Sequence, residues 1–131
     1  MSPVLDASAA VEMLRQTPAG TQVAAVVASR AVSAPAHVDA EVLSALARLA
    51  RADPDEEPAV GRRLTVLRDA PITRYACGPL LAEAWGPRAD VAVRDGLYVA
   101  LARRLGTALL TVDRRLERAL RGSDVEVVVP G

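Results

Sequence analysis

The chain contains no lysine, asparagine or phenylalanine, and only one isoleucine, one cysteine and one histidine. Lysine, asparagine, phenylalanine and isoleucine have A/T-rich codons, so their scarcity, together with abundant alanine, marks a GC-rich genome and carries no functional signal. With Cys77 alone, an internal disulfide and a multi-cysteine zinc site are both excluded, and a reducing compartment fits. With His37 alone, a site built from several histidines is excluded. No apolar run approaches the ~18 residues a membrane span needs. Asp6 and Glu12 interrupt the stretch a secretion signal would require, so a cytoplasmic location without membrane contact is expected. There is also no excess of either charge, since 16 arginines balance 16 acids. Any nucleic-acid contact must therefore be a local patch.

What is present is a core. Hydrophobic residues make up 51% of 131 positions, enough for one domain spanning residues 1–131. Pro3-Val4-Leu5 reads as a first strand, and Ser8 can cap a helix over residues 9–15. Thr17-Pro18 opens a second helix reaching about Ser29. Residues 31–34 form a short buried strand, and Pro35 opens a helix to about Arg51 striped by Val38, Val42, Ala45, Leu46 and Leu49. The acidic stretch 53–58 leads into a helix ending near Arg68. Residues 71–73 allow only a very short strand. Residues 80–85 are helical and Gly86-Pro87 ends them, while 93–105 form a strong helix stopped by Gly106. Strand 108–111, helix 114–121 and strand 125–129 complete the chain. Strands alternating with helices predict an α/β fold with a parallel sheet covered on both faces.

In such sheets ligands bind beyond the carboxyl ends of the strands. Asp6 follows the first strand, and Asp113 follows the fourth with Thr111 just before it. Glu41 lies early in the helix after the second strand, and Asp95 near the start of its own helix. Each acid alone is an ordinary turn, cap or solvated residue. The topology nevertheless aims all of them at one rim. Two unit charges ~5 Å apart repel by ~3 kcal/mol at an effective dielectric of about 20, which a divalent cation would offset. Oxygen ligands without Cys or His favour Mg2+ or Mn2+ over Zn2+. Such a centre suits phosphodiester hydrolysis, by acidifying water and stabilising charge on phosphate oxygens. No nucleophile elbow or Walker-type glycine pattern occurs. Receiver domains and haloacid-dehalogenase-type phosphatases normally employ a lysine, which is absent here. The Asp-x-Asp of those phosphatases reads Asp6-Ala7-Ser8.

An ordered set of segments carries a resemblance across nearly the whole chain: Val4-Leu5-Asp6-Ala7-Ser8-Ala9; Ala34-Pro35 leading to Asp39-Ala40-Glu41-Val42-Leu43; Asp95-Gly96-Leu97-Tyr98-Val99-Ala100; and Leu109-Leu110-Thr111-Val112-Asp113-Arg114-Arg115-Leu116. The set resembles PIN-domain ribonucleases of the VapC toxin type. The resemblance implies a five-stranded parallel sheet of order 3-2-1-4-5. It implies that Asp6, Glu41, Asp95 and Asp113 are the acidic metal-binding and catalytic positions, with Thr111 and Ser8 supporting them. It also implies RNA cleavage with Mg2+ or Mn2+, a homodimer, and a VapB-type antitoxin that holds the toxin inactive. The family commonly has Tyr-Asp-Ala where Arg94-Asp95-Gly96 stands, and Gly96 should cost the helix ~1 kcal/mol relative to Ala. Trp85-Gly86-Pro87-Arg88 replaces a more usual Trp-x-Leu-Arg, and Ala92 replaces a capping hydroxyl.

Arg114, Arg115, Arg118 and Arg121 cluster beside Asp113 and can hold RNA phosphates, or simply form a solvated face. His37 reads as structural or exposed, Cys77 as a small buried residue, and Tyr75, Trp85 and Tyr98 as packing residues. Two other readings stand beside the ribonuclease. One is a non-catalytic partner-binding module that acts with an antitoxin on operator DNA; the other is a nuclease for structured DNA.

Overall fold

The computed structural model describes residues 2–130. The elements run β1 (Val4–Leu5), α1 (Ala7–Arg15), α2 (Pro18–Arg30), β2 (Val32–Pro35), α3 (Val38–Ala52), α4 (Val60–Asp69), β3 (Ile72–Tyr75), α5 (Leu81–Trp85), α6 (Val93–Leu105), β4 (Leu109–Leu110), α7 (Arg114–Ala119) and β5 (Val127–Val128). The strands form one sheet of order β3-β2-β1-β4-β5, every pair parallel, as expected for an α/β fold of the PIN type. Val4, Leu5, Leu109 and Leu110 on the central strands are at most 1% exposed. A sheet covered on both faces explains why these strands read as unbroken apolar runs instead of alternating ones. Val38, Val42 and Leu46 bury one stripe of α3, with Ala45 and Leu49 at its margin.

Several local expectations hold. The Thr17 hydroxyl accepts the Gly20 amide at 3.0 Å, with Pro18 opening α2. Gly106 closes α6 at φ 64°, a left-handed conformation that glycine adopts at no steric cost.

Others are corrected. Asp6, not Ser8, caps α1, because its carboxylate accepts the Ala9 amide at 2.9 Å. Pro35 ends β2 instead of opening α3, which begins at Val38. The β1–β2 pairing has ended by then, so the missing proline N–H leaves no ladder bond unmade. The acidic stretch does lead into α4 as expected, and is itself a 3-10 turn, Pro54–Ala59, capped by Asp53. β3 is longer than expected at four residues, while β4 and β5 pair over only two each. α7 stops at Ala119, short of Arg121. Tyr75 and Trp85 are surface residues, 37% and 59% exposed, with Arg88 lying over the Trp85 ring. Cys77 is only half-buried.

Gly96 has a packing reason. A Cβ there would lie 2.5 Å from the Ala84 carbonyl oxygen, so only glycine lets α6 lie this close to α5. Among the described residues no helix is long and apolar enough to cross a membrane.

Candidate active site

The sheet register starts the site. Leu5 sits opposite Leu110, so the next residue of β1, Asp6, meets the next residue of β4, Thr111. Asp6 is 3% exposed and Thr111 fully buried. Asp6 Oδ1 accepts the Ala9 amide at 2.9 Å and the Ser8 hydroxyl at 2.7 Å, while Thr111 Oγ1 donates to Asp6 Oδ2. Ser8 and Thr111 oxygens lie 3.1 Å apart, and Ser8 Oγ also accepts the Val112 amide at 3.2 Å. The two hydroxyls thus tie the end of β1 to the end of β4. Burial pushes the Asp6 carboxyl up to about 6, against the opposing pull of its three hydrogen bonds and with a further push from Asp95.

Asp113 caps α7. Its Oδ1 accepts the Arg115 and Leu116 amides at 2.9 and 3.2 Å, and its own amide donates to Thr111 Oγ1 at 3.0 Å. Its Oδ2 has no hydrogen-bond donor among the described residues. Arg114, Arg115 and Arg118 project exposed from α7 and line a cleft of about 570 Å³ together with Arg94, Asp95 and Asp113. Arg121 is instead paired with Glu117 at 3.1 Å.

Glu41, in the first turn of α3, is held from three sides. The buried Tyr98 hydroxyl donates to Oε1 at 2.6 Å. His37 Nε2 lies 3.3 Å from that oxygen and 2.9 Å from the Arg94 carbonyl, so Nε2 faces two acceptors and carries the ring proton. Arg94 Nε lies 3.3 Å from Oε2. The Tyr98 hydroxyl is pushed up by burial and then by its bond to Glu41, which keeps it a donor. Asp95, in the first turn of α6, has no donor to its carboxylate among the described residues. Burial raises its carboxyl most, Glu41 and Asp113 raise it further, and Arg94 and His37 pull the other way.

Asp6, Ser8, Glu41, Asp95 and Asp113 line one cleft of about 600 Å³, which continues between α1 and α3 past Arg15 and Arg48. The fold therefore gathers all the acids that the sequence aimed at this rim, with Thr111 behind them. They are gathered but not closed: among the described residues no three His, Cys, Asp or Glu side chains are clustered tightly enough to hold an ion as they stand. Sequence reasoning missed the residues around Glu41. His37 and Glu41 are four apart on one helix approach, and Tyr98 is three from Asp95, so helical spacing carried a signal for both. Nothing local pointed to Arg94, whose contact with Glu41 crosses between α6 and α3.

Comparison with known proteins agrees with this architecture. The PIN domain family matches residues 4–121. Ribonuclease VapC3 of Mycobacterium tuberculosis is 47% identical over 117 residues, covering 88% of this chain and 85% of that protein. Ribonuclease VapC12 of the same organism is 40% identical over 126 residues, covering 95% of each. The crystal structure of VapBC2 from Rickettsia felis, bound to a DNA fragment from their promoter, aligns with TM-score 0.71 at 11% identity over 100% of both chains. That likeness concerns the fold alone. The chain belongs to the PIN-domain family, among its VapC relatives.

Proposed function

We propose that this protein is a cytoplasmic ribonuclease toxin that hydrolyses RNA phosphodiester bonds at the acidic cleft with Mg2+ or Mn2+. In this reading residues 1–131 act as one PIN domain, the protein works as a homodimer, and a VapB-type antitoxin restrains it. The observation that carries the reading is the convergence of Asp6, Glu41, Asp95 and Asp113 on one cleft at the carboxyl edge of the sheet.

The donor set fits a hard divalent cation. It offers carboxylate oxygens only, with Asp113 Oδ2 and the Asp95 carboxylate unengaged by any donor among the described residues. Asp6, Glu41 and Asp113 would hold the ion, and Asp95 would complete that centre or take a second one. When bound, such an ion supplies what this hydrolysis needs, a water acidic enough to attack near neutral pH and positive charge beside the phosphate oxygens.

The chain's own residues do the rest. Thr111 and Ser8 fix the orientation of Asp6 from behind, leaving it no freedom to turn away from the cleft. Tyr98 and His37 hold Glu41 Oε1 in the same way. Exposed Arg114, Arg115 and Arg118, adjoining Asp113, take the phosphates of the RNA and set its register across the acids.

The test uses purified wild type and Asp6→Asn on RNA and DNA oligonucleotides of one sequence. Expected is RNA cleavage by the wild type with Mg2+ or Mn2+, its loss in EDTA, and its loss in the variant. Cleavage by D6N at the wild-type rate, cleavage unaffected by EDTA, or preferential cleavage of the DNA would each overturn the reading.

A further inference from the structure

Arg94 stands at an unexpected place for a cation. It is the second residue of α6, its side chain 73% exposed, yet its guanidinium Nε lies 3.3 Å from Glu41 Oε2. Glu41 itself is only 18% exposed, and its other oxygen is already occupied by the Tyr98 hydroxyl at 2.6 Å and His37 Nε2 at 3.3 Å. The oxygen that Arg94 covers is therefore the one left to face the cleft. The guanidinium also lies close enough to Asp95 to favour its charged form. An exposed, long side chain can leave such a contact without disturbing the core, because only its terminal group is engaged. Arg94 also borders the arginine-lined cleft beside α7, which gives it somewhere to go.

We propose that Arg94 is a built-in counterion of the acidic centre: it holds Glu41 Oε2 in the ion-free protein and competes directly with the divalent cation for that oxygen. The inference rests on the reading of the cleft as a metal centre. Its consequence is a centre less repulsive when empty and correspondingly harder to load. Arg94 is thus a positioning residue that sets ion affinity, and the group it acts through is Glu41.

The experiment is calorimetric titration of Mn2+ into the EDTA-stripped full chain without RNA, paired with ion-free thermal melting. The variants are Arg94→Ala, Arg94→Lys, Asp6→Asn, Glu41→Gln, and Arg94→Ala in the Glu41→Gln background. Removing one partly exposed ion pair corresponds to about fivefold. Mn2+ should therefore bind R94A about fivefold more tightly than wild type, while the ion-free melting temperature stays level or falls slightly. R94K, which keeps the positive charge, should stay within about twofold of wild type. In the E41Q background the gain from R94A should vanish, because the contested oxygen no longer carries charge. A structural role alone would lower the melting temperature without tightening ion binding. Equal or weaker Mn2+ binding by R94A, with wild type saturating and D6N not, overturns the inference and leaves the metal reading standing. No saturable Mn2+ binding by any variant overturns both.

Discussion

Replacing Asp6 by asparagine should stabilise the ion-free protein. The carboxyl is 3% exposed and burial lifts it from 3.8 to about 6, so at pH 7.5 the fold carries a charge it holds at a disadvantage. A displacement of about two pH units corresponds to a ceiling of ~3 kcal/mol, at ~1.4 kcal/mol per unit. Asparagine removes the charge and keeps the shape. Its oxygen still accepts the Ala9 amide and the Ser8 hydroxyl, and its amide donates to Thr111 Oγ1 once that hydroxyl turns toward Ser8, 3.1 Å away. Burying the amide takes back part of the gain, so a net ~1–2 kcal/mol is expected. For a domain of this size, with ~2.1 cal/mol/K of unfolding entropy per residue, that raises the melting temperature by about 4–7 °C. The sign fixes the pH dependence. Because the folded-state value is raised, the wild type binds more protons folded than unfolded between the two values. The Asp6 contribution is fully present below about 4 and is lost as pH rises through about 6, and D6N lacks that loss. Melting in EDTA from pH 4 to 8 checks this. Adding Mn2+ should then raise the wild-type midpoint and leave D6N unmoved. A D6N midpoint at or below wild type at pH 7.5, or the same pH slope in both proteins, refutes the reasoning.

Thr111→Val keeps the volume but removes the donor to Asp6 Oδ2 and the acceptor of the Asp113 amide, all in a buried setting. It should cost ~2–3 kcal/mol, read as a fall of about 7–11 °C in melting temperature, and leave little ion-dependent cleavage. Gly96→Ala should destabilise by ~1–3 kcal/mol despite the higher helix propensity of alanine, since the new Cβ meets the Ala84 carbonyl at 2.5 Å. An unchanged or higher melting temperature would mean that α5 can slide away. Combined replacement of Arg114, Arg115 and Arg118 by alanine, in the D6N background so that RNA stays intact, should weaken RNA binding. It should also flatten the salt dependence of log affinity by about 2, at ~0.7 per single-strand phosphate contact. Fluorescence anisotropy across a salt series reads both.

Strand order and the rim on which the acids meet were legible because they follow from coarse pattern: apolar runs of strand length, separated by helices, with acids just past the run ends. Boundaries were less so. Asp6 and Ser8 are both good capping residues two positions apart, and sequence alone gives no reason to prefer one. The choice is made across the sheet, where Thr111 fixes Asp6 and leaves Ser8 to bridge. Pro35 shows the same limit from the other side. A proline before an amphipathic run signals a helix start, but here it is the last residue of β2, still opposite Tyr75 of β3 after the β1 pairing has ended. Gly96 looked like a weakness in α6 because the partner that needs it, the Ala84 carbonyl, is 12 residues away and approaches only in the folded chain.

The ordinary reading of each acid, as a helix cap or first-turn residue, proves compatible with a shared site. Asp6 and Asp113 cap α1 and α7, while Glu41 and Asp95 lie in the first turns of α3 and α6. Four helix amino ends therefore point at one cleft, and their partial positive charges favour carboxylates there by up to ~1 kcal/mol each. That is one reason a domain with this much like charge in one place can fold before any ion arrives. The other reasons differ residue by residue. Asp6 is lifted toward its neutral form, Glu41 is paired with Arg94 and hydrogen-bonded by Tyr98, and Asp113 spends one oxygen on backbone amides. Asp95 has no donor on its carboxylate among the described residues; burial raises its carboxyl most, Glu41 and Asp113 add to that, and Arg94 and His37 oppose it. Neutralising charge in the cleft therefore removes the upward push of Glu41 and Asp113 on Asp95 and leaves the larger effect of burial in place.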